Sequence, residues 1–315
     1  MPLLLAHETD QVADVADLAD ACRSPAFDGG STDGLLAVAP VLRALGNNRE
    51  FLPALALDAL KENCRTQLAT NTYSAQVILL HPPEGNFFLR ANIWPSAGEP
   101  CLRTSGAASF FYDFPHDHAF DFLTIGHLGP GYWSDYYEVE PESILGLPGE
   151  PVDLRFVERS QLSPDKMLLY RANRDIHDQL PPESLSVSIN VMTLTEAQCA
   201  RRQYHFDVEG GRIIRDMTAT SAQLLLRLCV QFDSDELGGN GRDLAESFMR
   251  GHDDPRIRLA AWSAIDAATD DHEARLAHAE TALRSTCPHL RRAGTRSLDL
   301  LRSGSIPSPA RARIA

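Results

Sequence analysis

The stretch that decides the expected fold is "FPHDHAFDFLTIGHLGPGYW", residues 114–133. It places His116 and His118 one residue apart, ahead of an apolar run and a glycine-containing turn. Alternate side chains of a β-strand lie on the same face, about 7 Å apart. If this stretch is a strand, the two imidazoles can bind one metal ion. An isolated pair of this kind is more often a chance pair on a polar face, so the rest of the chain has to decide.

A second segment, residues 162–192, supplies a third histidine. It reads "LSPDKMLLYRANRDIHDQLPPESLSVSINVM" and predicts a turn, an apolar strand, a polar loop, a Pro-containing turn and an alternating strand. His177 stands at the end of the polar loop, where a lone histidine is usually a hydrogen-bonded surface residue. Beside the upstream pair it becomes a candidate third ligand, so the sequence favours a site made of His116, His118 and His177.

The 315-residue chain divides into three regions by sequence texture. Residues 1–73 carry apolar residues at helical spacing and predict an N-terminal helical segment. Residues 74–210 predict an antiparallel sandwich or barrel, because short β-branched and aromatic runs alternate there with Pro and Gly. The predicted strands are AQVILLHPP, FFLRANIWP, ASFFYDF, DFLTIGHL, YWSDYYEV, KMLLYRA and LSVSINVMTL. Residues 211–315 predict a C-terminal helical domain, with a frayed tail from residue 303.

The C-terminal region contains a weak helical repeat. The segments "DDPRIRLAAWSAI" and "TCPHLRRAGTRSL" both place a proline at a helix start, and Pro255 and Pro288 stand 33 residues apart. Stacked helix pairs give such periods, so the region resembles a short HEAT-like array. A simple helical cap on the β domain is an equal alternative.

Composition restricts the partners and the compartment. A net charge of −14 disfavours nucleic acid as the main partner, because phosphate binding needs a concentrated basic surface. No apolar run reaches the length of a membrane span. The six cysteines are scattered, which fits a reducing cytoplasm. Lysine occurs only at Lys61 and Lys166, a bias that indicates a GC-rich bacterial genome. We therefore expect a cytoplasmic bacterial protein.

Together, the two histidine segments resemble the two conserved motifs of the cupin superfamily. The resemblance covers roughly residues 75–200 and implies an α+β fold with a double-stranded β-helix, or jelly roll, at its centre. In that family the first motif contributes H-x-H and usually a glutamate, and the second contributes one histidine. Carried over to this chain, the family pattern implies His116, His118 and His177 as metal ligands.

The family's usual glutamate is missing here. It would stand four or five residues after the second histidine, where this chain has Phe122 and Leu123. Asp121 comes one residue early, so it either orients a ligand imidazole without binding the metal or is a simple loop carboxylate. Glu138 is the reserve candidate for a fourth ligand if the local strand carries a bulge.

Without the glutamate, the pattern is similar to the thiol dioxygenase branch, the cysteine dioxygenase-like cupins, which bind ferrous iron with three histidines. Arg90 in "FFLRANIW" stands where that branch has an arginine that binds the substrate carboxylate. An arginine suits this role because its guanidinium pairs bidentately with a carboxylate; the alternative is a surface arginine at a strand end. The branch's cysteine–tyrosine crosslink and the Ser-His-Tyr relay of related enzymes have no counterpart here, so thiol oxidation is one option among several.

The ligand set leads to the functional hypothesis. Three neutral imidazoles suit Fe(II), with Zn, Mn, Ni, Cu or Co as alternatives, and leave open positions for substrate and O₂. We therefore expect a non-haem Fe(II)-dependent cupin oxygenase, a dioxygenase acting on a small amino-acid-like or carboxylate substrate. A 2-oxoglutarate-dependent enzyme is disfavoured, because no arginine follows His177 at the required distance.

Two rival functions stay open at this point. The first is another metallo-cupin enzyme, a hydrolase, isomerase or decarboxylase that uses Zn, Mn or Ni. The second is a ligand-binding cupin whose C-terminal helices form a protein-interaction scaffold. Those helices could also form a homodimer or cover the pocket.

Further polar residues near the motifs are candidates for the site. We assign catalytic roles to Arg90, Asp121 and His127, the last as a proton shuttle, although a strand-end surface histidine is the commoner case. Tyr132 and Tyr137 could wall the substrate site beside Arg90, but aromatics in such a run are more often part of the core.

Overall fold

The computed structural model describes residues 2–196, 198, 201–218, 220–233 and 239–303. The chain forms two compact units, Met1–Met217 and Thr218–Ala315. The helices and strands that had been predicted in the N-terminal and middle regions belong to the first unit. Each unit is described by itself below.

The first unit mixes helices with antiparallel strands. Its helices are α1 (Val15–Arg23), α2 (Thr32–Asn47), α3 (Phe51–Lys61), α4 (Arg65–Thr70) and α5 (Pro100–Ser105), with 3₁₀ turns at Ala107–Phe110 and Pro141–Ser143. Its strands are β1 (Leu3–Leu5), β2 (Val77–Glu84), β3 (Phe87–Trp94), β4 (Phe122–Leu128), β5 (Trp133–Glu138), β6 (Arg155–Gln161), β7 (Met167–Tyr170), β8 (Asp175–Leu180), β9 (Ser186–Thr193), β10 (Tyr204–Asp207) and β11 (Arg212–Asp216).

The strands form three sheets. A six-stranded sheet has the order β1-β7-β4-β9-β3-β2, a three-stranded sheet the order β6-β5-β8, and β10 pairs with β11. All of these strand pairs are antiparallel. Single antiparallel bridges join His116 to His177 of β8 and to His205 of β10. Residue 116 therefore connects β8 with the β10–β11 hairpin.

The six-stranded sheet is buried on both faces, because alternate side chains of a strand point to opposite sides. On one face, Leu123 and Ile125 of β4 lie in the same apolar cluster as Leu35 and Leu42 of α2. On the other face, Phe122 shares a cluster with Tyr136 of the three-stranded sheet. The unit thus has a helical layer, a central sheet and a second sheet. The space between the two sheets holds the candidate site.

Local sequence explains where the first helices begin. Asp14 precedes α1 and accepts hydrogen bonds from the backbone N–H groups of Ala16 and Asp17, while the Asp17 carboxylate accepts one from Asp14 N–H at 2.8 Å. This reciprocal capping satisfies donors that have no partner inside the helix. Ser31 caps α2 by accepting a single hydrogen bond from the N–H of Gly34 at 3.1 Å.

Two predictions about the segment around the first histidines are wrong. The expected strand ASFFYDF is a 3₁₀ turn, Ala107–Phe110, followed by Phe111 and Asp113 with φ of 58° and 52°. A pleated strand needs negative φ throughout, so pairing cannot continue through these residues. His116 and His118 also lie outside any strand, since β4 begins only at Phe122.

Five other strands were not predicted from the sequence. The polar loop expected around His177 is strand β8, in which four of the six residues are polar although most of the strand is buried. Strands β1, β6, β10 and β11 carry charged residues or are short, so they lack the apolar run by which a strand is usually recognised. The predicted strands that became β2, β3, β4, β5, β7 and β9 are present.

The second unit is helical in its described part. Its helices are α6 (Ser221–Gln231), α7 (Gly241–Gly251), α8 (Pro255–Ala268), α9 (His272–Leu283) and α10 (Pro288–Arg302). Ala261 and Ile265 of α8 pack with Leu226 of α6. A HEAT-like arrangement stays a prediction, and the tail beyond residue 303 lies outside the described residues. No helix in the described part of the chain is long and apolar enough to span a membrane.

Candidate metal centre

The structure brings His116, His118 and His177 together. One ring nitrogen of each lies within 4.8 Å of the others, and all three side chains are buried. The ring centroids are 4.9 Å apart for His116 and His118, 4.7 Å for His116 and His177, and 5.1 Å for His118 and His177. The Nε2 atoms of His118 and His177 are 3.0 Å apart. Within the described residues, no other group of three or more His, Cys, Asp or Glu side chains could hold a metal ion.

Tertiary contacts, rather than a strand, position the first two histidines. His116 and His177 exchange backbone hydrogen bonds of 3.1 and 3.0 Å. Between the two histidines, the buried carboxylate of Asp117 accepts from Tyr204 N–H at 2.5 Å and from the Asn173 side-chain amide at 2.8 Å. Asn173 N–H in turn donates to the carbonyl oxygen of His118 at 2.8 Å. The H-x-H segment is therefore fixed at three consecutive residues.

Hydrogen bonds that place the proton on Nδ1 leave Nε2 unprotonated on two of the rings. The His116 Nδ1–H donates to the Phe114 carbonyl oxygen at 2.7 Å. The Tyr170 hydroxyl donates to the Tyr136 hydroxyl oxygen at 3.3 Å, so its own oxygen can accept the His177 Nδ1–H, which lies 3.1 Å away. Such partners fix the tautomer and the ring orientation of metal-binding histidines. His116 and His177 thus both present an Nε2 lone pair.

His118 differs, because its buried Nδ1 has no hydrogen-bond partner among the described residues. Burial lowers the pKa of His116 to about 4 and the pKa values of His118 and His177 well below the usual range. The neighbouring imidazoles lower the pKa of His118 and of His177 further. All three rings are therefore neutral near pH 7, the state in which imidazole binds a metal. Donor type, protonation and burial all fit a metal ion at this position.

The three histidines open into a cavity of about 410 Å³ between the two sheets. Trp94 and Tyr132 lie on its wall with their ring centroids 4.0 Å apart. Phe120 and Phe122 line it next to His118, at centroid distances of 5.2 and 4.9 Å. The cavity wall is therefore largely aromatic around the candidate metal position.

Arg90 of β3 also lines the cavity. Its guanidinium carbon lies 5.3 Å from the centroid of the Tyr73 ring, and its Nε is buried with no hydrogen-bond partner among the described residues. Burial lowers its pKa from the ordinary arginine value, while its positive charge contributes to lowering the pKa of His118. A cation at this depth normally has an anionic partner, because burying an unpaired charge is costly. Within the described part of the chain, the Arg90 side chain thus lines the cavity as a cation without an ion-pair partner.

His127 does not reach the cavity. It lies on the same face of β4 as Leu123 and Ile125, towards the helices, with its ring centroid 5.2 Å from that of Phe51. It is completely buried, and burial lowers its pKa to about 4. The expected proton-shuttle role is therefore not supported, because β4 turns Phe122 towards the cavity and His127 away from it.

Asp121, Tyr137 and Glu138 are also engaged elsewhere. The Asp121 carboxylate accepts from Ala172 N–H at 2.5 Å. The Tyr137 ring packs against Phe156 at a centroid distance of 5.4 Å. None of the three lines the cavity. The Glu138 carboxylate, the reserve candidate for a fourth metal ligand, instead forms ion pairs with the guanidinium groups of Arg155 and Arg171.

Several residues of the site were not found from the sequence. Tyr170 contacts His177 Nδ1, and Asn92, Gln179 and Asn190 line the cavity wall. Asn190 pairs directly with Arg90 in the β3–β9 register, inside a strand that is otherwise apolar or small. A single amide within such a buried strand is a signal that could have revealed it, since buried polar residues usually have a specific partner.

No protein-family model matches the chain, and no curated protein matches it in sequence. Among solved structures, it is similar to hydroquinone 1,2-dioxygenase from Sphingomonas sp. TTNP3 with 4-hydroxybenzoate bound, at 9% identity and a TM-score of 0.27, over 42% of this chain and 72% of that one. It is also similar to a hydroquinone 1,2-dioxygenase in complex with Cd²⁺ and 4-hydroxybenzonitrile, at 11% identity and a TM-score of 0.25, over 42% of this chain and 71% of that one.

Proposed function

We propose that the protein is a metal-dependent oxygenase of the cupin type, in which His116, His118 and His177 hold Fe(II) and Arg90 binds a substrate carboxylate. The observation that carries the proposal is three neutral, buried imidazoles at the wall of a cavity that also contains Arg90, an arginine with no ion-pair partner among the described residues. The antiparallel sheets on either side of the cavity agree with a jelly roll.

The donor set favours catalysis over a structural role for the metal. Structural zinc sites are closed by four protein ligands, whereas catalytic sites keep a position open. Here the described part of the chain offers three, and imidazole suits Fe(II) as well as Zn, Ni or Cu. When bound, Fe(II) would supply the electrons that activate O₂, and the remaining functions fall to the chain itself.

Four residues in and around the cavity would each have a definable task in such a reaction. Arg90 would fix the carboxylate through paired N–H donors and so orient the substrate. Tyr170 would hold His177 in one tautomer by accepting its Nδ1–H. The aromatic wall formed by Trp94 and Tyr132 would keep bulk water from the reacting groups.

Metal content and oxygen consumption test the proposal together. We expect protein purified after expression with iron to contain about one equivalent of the metal and to consume O₂ with a suitable carboxylate. His118→Ala should abolish both, whereas His252→Ala, in the helical second unit, should change neither. Far-UV circular dichroism confirms that each variant is folded.

Two results would contradict parts of the proposal. Full metal retention after replacement of all three histidines would exclude this site. Tight loading with Zn, Mn or Ni, without oxygen consumption on any carboxylate, would instead indicate a hydrolase, isomerase or decarboxylase on the same ligands.

A further inference from the structure

We infer that the cavity binds an aromatic carboxylate without a cationic group, rather than an amino acid. This inference rests on the proposed function, because it names the substrate class of the same site. Two independent features of the cavity carry it: the charges of its wall and the shape of its apolar surface.

The wall of the cavity carries a positive charge that has no counterion among the residues the structure describes. Arg90 forms no ion pair with any described residue. Its Nε has no hydrogen-bond partner among them, and its guanidinium carbon lies 5.3 Å from the centroid of the Tyr73 ring. The side chains that line the cavity include three histidines, several amides and hydroxyls, but no aspartate or glutamate from the described part of the chain. A bound divalent metal would add further positive charge.

This distribution selects against an amino acid. A carboxylate would satisfy Arg90 with charge-assisted hydrogen bonds. A substrate ammonium group would find no carboxylate on the wall and would lie in the field of Arg90, a costly arrangement for a buried charge. The charge pattern therefore favours a ligand that is anionic overall.

The shape of the cavity indicates an aromatic body. Its volume, about 410 Å³, lies in the range of about 300–1,000 Å³ that holds drug-sized ligands, so a very small amino acid would leave most of it empty. Trp94 comes from one sheet and Tyr132 from just before the first strand of the other, and Phe120 and Phe122 flank His118. Aromatic rings attract one another in offset or edge-to-face geometry, so a wall that contains these four aromatic side chains favours a planar ring.

The positions of Arg90 and Trp94 place the positive charge and the aromatic wall on the same side of one strand. Both belong to β3 and stand four residues apart, so they point to the same face of the strand. A ligand whose carboxylate pairs with Arg90 can therefore place its ring against Trp94 and Tyr132. The three histidines, Phe120 and Phe122 line the same cavity.

Calorimetric titration of the full chain loaded with Zn²⁺ tests the inference, because Zn²⁺ supports binding without redox turnover. The probes are benzoate, cyclohexanecarboxylate, benzylamine and L-phenylalanine, which differ in planarity and in charge. We expect benzoate to bind about three- to tenfold more tightly than cyclohexanecarboxylate. It should also bind at least about tenfold more tightly than the two ligands that carry an ammonium group.

Two variants locate the binding site. Arg90→Gln should weaken benzoate binding by about ten- to a hundredfold, while Arg103→Gln, a change at an exposed arginine of α5, should leave it unchanged. Equal affinity of benzoate and L-phenylalanine for the unmodified chain would overturn the charge argument even if Arg90→Gln failed to fold. Equal affinity of benzoate and cyclohexanecarboxylate would overturn the aromatic assignment.

The same titrations separate this inference from the proposed function. If the chain takes up about one equivalent of Zn²⁺ but shows no preference for benzoate, only the substrate class is wrong. If the chain takes up no Zn²⁺ at the three histidines, the proposed metal site itself is wrong.

Discussion

Replacing His127 by leucine is expected to make the first unit more resistant to acid. The His127 side chain is 0% exposed, packs against Phe51, and has a pKa lowered to about 4 by burial. An exposed histidine in the unfolded chain titrates near 6.5. Between these two values the unfolded state binds more protons than the folded state, so the free energy of unfolding falls as the pH falls.

The size of the effect follows from the two pKa values. At pH 7.5 both states are essentially unprotonated at this histidine, and the contribution is close to zero. At pH 5 the difference in protonation removes about 2 kcal/mol of stability, and below pH 4 the loss approaches about 3 kcal/mol. A leucine at position 127 cannot titrate, so the variant should lose about 2 kcal/mol less than the parent between pH 7.5 and pH 5.

Urea unfolding followed by tryptophan fluorescence measures this difference. A Trp262→Phe background restricts the signal to Trp94 and Trp133, which lie in the same unit as His127. His7→Leu, at an exposed histidine, is the matched control and should follow the parent at both pH values. The comparison is between two pH values, so any packing change caused by leucine itself cancels. If the parent and His127→Leu lost the same free energy between pH 7.5 and pH 5, burial of a neutral His127 would be refuted.

Two further changes test the site and the sheet. Tyr170→Phe removes the acceptor of the His177 Nδ1–H and should weaken Zn²⁺ binding by about ten- to a hundredfold, whereas Tyr137→Phe should not; equal metal affinity of both variants would contradict the assigned hydrogen bond. Gly126→Ala would place a Cβ 2.0 Å from the Ser163 carbonyl oxygen and should lower the free energy of unfolding by about 2 kcal/mol or more. Gly98→Ala, whose nearest contact would be 3.9 Å away, should cost far less, and similar urea midpoints for the two would disprove the close approach.

Local signals in the sequence located most of the regular elements. The helices α8 and α10 begin at Pro255 and Pro288, where the sequence places them. Proline is tolerated in the first turn of a helix, where its missing N–H has no partner to lose. The apolar β-branched runs became β2, β3, β4, β7 and β9. Such features depend on neighbouring residues alone, which is why the sequence shows them.

The segment around His116 could not be predicted in this way. Its composition suits a strand, but Phe111 and Asp113 adopt positive φ, and the chain leaves the pleated conformation before the histidines. The two rings nevertheless converge, because Asp117 is held by Tyr204 N–H and by the Asn173 amide. These partners lie 87 and 56 residues away in the chain, so local spacing carries no information about them.

The sequence by itself determined that the chain has helical ends, an antiparallel middle and three histidines suited to one metal ion. Only the tertiary structure decided which side chains share the cavity with them. The central sheet is buried on both faces, so the sequence alone does not show which face leads to the cavity. In the structure Phe122 and His127 point to opposite sides. Likewise, whether Arg90 has a counterion depends on every strand that surrounds it. Long-range packing decides which face of the sheet a side chain occupies and whether a charged side chain has a partner. A pattern of alternating residues cannot specify either when both faces of the sheet are shielded from water.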